Sequence, residues 1–148
     1  MNIKLEKLVA VLFIAILTLS AMATAIPPVL ANSTEVRVEP ASQEFGPATC
    51  TGTEFNINVV VANVTGLYGI GFEFAWNTTY LLYLNHTAHI PKDDFPDGIL
   101  WKPGMFVTNI VDEVAGTYSV AYACMDPAPV FDGTGIAFDM WFRIIKQP

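Results

Sequence analysis

An all-β fold of two stacked sheets is predicted for the chain beyond about residue 31, on three observations. Helical periodicity is almost absent there, apolar and polar residues alternate at period two in several short stretches, and those stretches are separated by Gly, Pro, Asn and Asp. About seven such stretches fit a chain of sandwich length, with turn signals spaced as two packed antiparallel sheets require.

The chain opens differently. Lys4 and Lys7 precede the apolar run LVAVLFIAILTLSAMATA, and Ala23, Ala25 and Ala31 are small residues of the kind a signal peptidase accepts. Residues 1–31 are therefore expected to form the helix of an export signal. No charge occurs from Leu8 through Thr34, so an uncleaved anchor is the alternative, since a spanning helix needs about 20 apolar residues. Ser20, Thr24 and the Pro27-Pro28 pair weaken the far end of the run and place cleavage ahead of anchoring. Much of the mean hydropathy of +0.44 comes from this segment. The remaining stretch of about 117 residues is enough for one domain with one core, expected over residues 35–148. Its expected place is extracellular or at the cell surface, with membrane contact only through an uncleaved leader.

Residues 35–39 give a first short strand. In residues 55–61, Phe55, Ile57, Val59 and Val61 alternate with Asn56 and Asn58, one face buried and one wet, and Asn63-Val64-Thr65-Gly66 is expected to break the strand. The stretch 67–76 places Ile70, Phe72, Phe74 and Trp76 on one face, opposite Gly69, Gly71, Glu73 and Ala75, so the four large residues belong in the core. A short strand over 80–84 precedes a long irregular region, residues 85–104, which carries Pro91, Pro96 and Pro103. Residues 105–111 and 117–123 flank a Gly116-containing turn and read as a β-hairpin. Residues 135–145 alternate Ile136, Phe138, Met140, Phe142 and Ile144 with Ala137, Asp139, Trp141, Arg143 and Ile145, the pattern of a strand central to its sheet. The sequence stops soon after this apolar strand, which suggests a fragment truncated at its C-terminus.

Apart from Glu6, Lys4 and Lys7, the 14 acids and 7 bases of the chain all lie beyond Ala31. So acidic a surface repels phosphate backbones, and nucleic acid is not an expected partner. Cys50 and Cys124 both fall in the exported part; a disulfide between them is favoured over two buried thiols, as a staple closing a long loop and not as a redox pair. Four glycosylation sequons begin at Asn32, Asn63, Asn77 and Asn85, a density that agrees with export.

Residues that carry chemistry are few. His86 and His89 lie near Asp93, Asp94 and Asp97, but spacing of three suits a helix and the region reads as loop, so surface histidines are the plainer reading. Calcium on the three aspartates is a minor alternative, because the D-x-D-x-D-G spacing is absent; no cofactor is otherwise expected. Glu73, Asp112, Glu113 and Asp139 are the carboxylates that a glycosidase would need in pairs, yet a small core filled with Phe and Trp leaves little room for a cleft. No catalytic residue is assigned. Among Tyr68, Tyr83, Trp101, Tyr118, Tyr122 and Trp141, alternation buries most; Trp101 in the Pro-rich loop and Trp141 opposite the Phe138/Phe142 face are the candidate binding-face aromatics.

The order of the segments FNINVVVANVTGLYGIGFEFAWNTTYL, PDGILWKPG, AGTYSVAYA and FDGTGIAFDMWFRI resembles the cohesin family, the modules that receive dockerins in polysaccharide-degrading assemblies and on cell surfaces. Similar segments occur in cohesin-like domains of archaeal secreted proteins. The resemblance implies a jelly-roll sandwich of up to nine strands, a fold shared with carbohydrate-binding modules, and a function in which one sheet face docks a dockerin-like partner whose calcium belongs to the partner. The last strand or two of the family have no counterpart here. The expectation is thus a secreted, non-catalytic binding module of cohesin type. A carbohydrate-binding module for polysaccharide, or a structural or adhesive surface domain, is the alternative. Aromatics in a row would favour sugar, and a flat mixed patch would favour a protein partner.

Overall fold

Alternating burial along each strand dictates the architecture. In the strand Thr117–Cys124 every second residue (Tyr118, Val120, Tyr122 and Cys124) is buried, and the residues between them face outward. A computed structural model describes residues 33–46 and 51–146, which belong to one compact unit, Asn32–Pro148. Seven strands are described: β1 (Glu35–Glu39), β2 (Glu54–Leu67), β3 (Gly69–Ala75), β4 (Leu81–Ala88), β5 (Gly104–Asp112), β6 (Thr117–Cys124) and β7 (Phe131–Ile144). They form two antiparallel sheets, of order β1-β2-β7-β4 and β3-β6-β5. The signal helix expected at residues 1–31 lies outside the described residues, and among those described no helix is long and apolar enough to cross a membrane.

The core between the sheets is rich in rings. Phe138, Met140 and Phe142 of β7 meet Tyr118, Val120 and Tyr122 of β6, all nearly sealed from solvent. Phe138 packs edge-on against Tyr118 at 4.9 Å between ring centroids and against Phe74 of β3 at 5.9 Å. Ile70, Phe72, Phe74 and Trp76, expected in the core, pack against it while remaining partly exposed. They lie on or just past an edge strand, covered from one side only.

Two boundaries differ from those the sequence predicts. Residues 63–66 do not break β2. The strand passes through them as two bulges opposite β7, and left-handed residues, Asn63 (φ 55) and Gly66 (φ 69), take up the extra length. Each is tied across the ladder: the Asn63 amide donates to the Thr134 hydroxyl and the Gly66 amide to Asp132. Likewise β4 continues past residue 84 to Ala88, so Asn85 and His86 belong to a strand and not to a loop. Its ladder with β7 carries it: Asn85, His86, Thr87 and Ala88 pair with Trp141, Met140, Asp139 and Phe138.

Residues 89–103 then cap one end of the sandwich. Ile90, Ile99 and Leu100 are buried among the core side chains. The loop lies hard against β7: Ile136 donates to the Asp97 carbonyl, and a side chain at Gly135 would collide with the Gly98 carbonyl at 2.5 Å.

The disulfide favoured from the sequence has one of its two cysteines, Cys50, outside the described residues. Cys124 is a free, buried thiol whose Sγ donates to the Trp101 carbonyl at 3.4 Å. As the last inward-facing residue of β6, Cys124 is placed by alternation to pack as a small apolar group.

Candidate functional site

Two sheet faces and two histidine clusters contain the residues with chemical potential. The outer face of β3-β6-β5 is built in register rows: Gly69–Ala123–Met105, Gly71–Ala121–Thr108 and Glu73–Ser119–Ile110. Cross-strand partners share a face, so β3 and β6 supply a floor of Gly, Ala and Ser, along which β5 raises larger apolar residues. Met105 is 55%, Val107 69% and Ile110 64% exposed. Val107 is the extra residue of a bulge between Phe106 and Thr108. This face is open, with a floor of small residues, an apolar edge and Glu73 at its border, the form of a docking surface. No expectation from the sequence pointed to it. Its signal was present, since the run MFVTNIV has apolar residues at both parities, which an edge strand with one wet face does not need.

The outer face of the four-stranded sheet is polar around one ring. Trp141, 39% exposed, sits on the inner strand β7 between Asn56 of β2 and Asn85 of β4, with the Arg143–Glu54 ion pair in the next row. Trp101 is placed differently: half-buried, it packs against the core, and the Lys92 ammonium lies 6.0 Å from its ring centre. The two candidate aromatics therefore share no surface row. Of the remaining aromatics, Tyr118 and Tyr122 are buried, Tyr83 stacks on Trp76, and Tyr68, between β2 and β3, is exposed.

The histidines that the sequence set side by side belong to separate clusters. His86 points inward from β4: its Nδ1 shares a hydrogen bond with the Tyr83 hydroxyl (2.7 Å), its Nε2 faces Asn109 Oδ1 (3.3 Å), and its ring lies on Tyr118 at 4.4 Å. The Tyr118 hydroxyl donates to the same Asn109 oxygen, and burial, then the neighbouring Tyr83, raises the Tyr118 pKa above the usual phenol range. His89 is held between two carboxylates, with Nε2 2.8 Å from Asp139 Oδ2 and Nδ1 3.0 Å from Asp97 Oδ1. Burial disfavours charge on the ring, but the hydrogen bonds to Asp139 and then Asp97 outweigh it and raise its pKa above the histidine norm. The hydrogen bond from His89 in turn lowers the pKa of Asp97. As an imidazolium, His89 donates to both acids at once.

The aspartates considered for calcium are engaged separately. Asp93 accepts from the Lys102 backbone amide, Asp94 from the Lys102 ammonium, and Asp97 from His89. Among the described residues no three His, Cys, Asp or Glu side chains converge on a common point. The carboxylates weighed for glycoside hydrolysis lie in three separate places, with Glu113 beside Asp112 at the β5–β6 turn. Glu73 is on the outer face of β3, Asp112 caps the β5–β6 turn by accepting from Val114 and Ala115, and Asp139 faces His89.

Of the four sequons, Asn85 is exposed on edge strand β4, Asn77 is exposed in the β3–β4 turn, and Asn63 is half-buried in its bulge. Asn32 lies outside the described residues.

Neither a family model nor a curated protein matches the chain. Among solved structures it is similar to the seventh ScaB type I cohesin from Pseudobacteroides cellulosolvens, at 17% identity and a TM-score of 0.48. That similarity takes in 66% of this chain and 60% of the cohesin chain.

Proposed function

We propose that this chain is an exported, non-catalytic binding module that docks a partner protein domain on the outer face of β3-β6-β5. The observation carrying this reading is the exposed apolar edge of Met105, Val107 and Ile110 beside a floor of small residues. A floor without bulk lets a partner's backbone approach closely, and the raised edge supplies the buried apolar contacts that dominate such interfaces. The resemblance in the sequence gives the partner's kind as dockerin-like, a helical domain whose apolar ridge would fill the step between floor and edge. Trp141 has Asn56 and Asn85, not further aromatics, as its row partners, which favours this reading over polysaccharide binding, a function that calls for several aromatics in a row. Carboxylates set in three separate places support a non-catalytic role.

Calorimetric titration of the exported chain against a purified dockerin-type domain tests the proposal. Ile110→Asp and Met105→Asp should each weaken binding by about thirtyfold or more while leaving the melting temperature in place. Unchanged affinity in both variants, or capture by an insoluble glucan that Trp141→Ala abolishes, would overturn it.

A further inference from the structure

An exposed indole in the middle of a polar sheet face calls for something that covers it, and the chain itself carries a candidate. Trp141 is 39% exposed, and its cross-strand partner on β4 is Asn85, the acceptor position of the sequon Asn85-His86-Thr87. Directly opposed residues in an antiparallel pair share a face, with Cβ atoms about 5 Å apart. That is within reach of the first sugar on an asparagine amide. Since β4 is the edge strand of its sheet, no described strand lies beyond Asn85 to block a bulky substituent. Thr87, the hydroxyl residue of the sequon, is exposed on the same face.

The other described sequons lack this arrangement. The Asn63 amide nitrogen donates to the Ser33 carbonyl at 3.4 Å from a left-handed bulge in an inner strand. Asn77 holds its own turn, with Oδ1 accepting from the Thr79 amide at 2.9 Å, and the neighbouring ring, Trp76, packs inward on Tyr83 and Phe142.

We propose that Asn85 is N-glycosylated and that its first sugar lies flat on the Trp141 indole, sealing the outer face of the four-stranded sheet. The proposal rests on the export reading but not on the docking face, which belongs to the other sheet. In the transfer step the Asn85 amide nitrogen attacks the anomeric carbon of a lipid-pyrophosphate-linked oligosaccharide. A carbon–nitrogen bond forms, the carbon–oxygen bond to pyrophosphate breaks with its electron pair, and the amide proton is released to the medium. The apolar C–H face of the sugar then replaces water on the ring, and the flanking Asn56 and Asp139 side chains leave its hydroxyl rim in polar surroundings.

The test is production of the full chain in a eukaryotic secretory host, with glycopeptide mass spectrometry and thermal melts of wild type, Asn85→Gln, Trp141→Ala and the double variant. Asn85 should be occupied, and sugar protons should shift upfield in the NMR spectrum under the indole ring current. Asn85→Gln should lower the melting temperature by roughly 3–6 °C in the wild-type background and have no effect once Trp141 is alanine. The proposal is overturned by a bare Asn85, by an Asn85 glycan whose removal has the same effect with or without Trp141, or by Trp141-dependent binding of free soluble glucan. Titration of the same samples with a dockerin-type domain reads the docking face separately.

Discussion

Phe138 shows what a single position contributes. It is about 1% exposed, is wedged between Tyr118 and Phe74, and sits on a strand paired on both sides. Rings on the two facing sheets hold the site open, so truncation leaves a cavity that cannot close. Phe138→Ala should therefore cost roughly 3–5 kcal/mol in urea unfolding, with little change in the dependence on urea concentration. A loss below about 1 kcal/mol would show that the sheets collapse onto the vacancy. Position alone does not decide such outcomes. Trp141, three residues on and equally aromatic, points outward because parity along β7 alternates, and its truncation removes little packing inside the sandwich.

Among elements, the capping loop 89–103 is fastened to β7 by charge. The backbone bonds from His89 to Ala137 and from Ile136 to Asp97 set its path, and the His89 imidazolium joins Asp97 in the loop to Asp139 in β7. Asp139 Oδ1 is buried without a hydrogen-bond partner among the described residues, so the His89 cation compensates this carboxylate. Linkage sets the signs. Because the pKa of His89 is raised on folding, its contribution is complete below the ordinary value of 6.5 and is lost as pH rises through the folded value. Because the pKa of Asp97 is lowered, its contribution is complete above 3.8 and is lost as pH falls through the folded value. The clamp should thus be strongest between about pH 4 and 6.5. Urea melts from about pH 4 to 9 should show the wild-type advantage over His89→Gln shrinking on the alkaline side. Parallel curves would dismiss the clamp.

Over the whole molecule, protection should follow sheet order. β2, β7 and β6 are flanked by strands on both sides, whereas β1, β4, β3 and β5 are edges. Hydrogen exchange should be slowest in β7 and in β2 from Phe55 to Val61, and fastest in β1, whose Glu35, Arg37 and Glu39 form ion pairs with one another on an exposed edge. Fast exchange in β7 would contradict the two-sheet packing. The fold class, the strand faces and most of the core were legible without coordinates, because inward and outward parity is local: Phe138, Met140, Phe142 and the alternation of 55–61 and 67–76 already carry it. The same parity set Trp141 on the face opposite Phe138 and Phe142. Other outcomes emerged with the assembled sandwich. Residues 63–66 stay in register through two bulges, β4 reaches Ala88, Cys124 is a free thiol, and His89 joins Asp97 to Asp139 while His86 turns inward. Met105, Val107 and Ile110 likewise come to lie beside the small residues Ser119, Ala121 and Ala123 of β6. These depend on which strand lies beside which and in what register, a pairing set by the summed packing of both sheets and not written in any one segment.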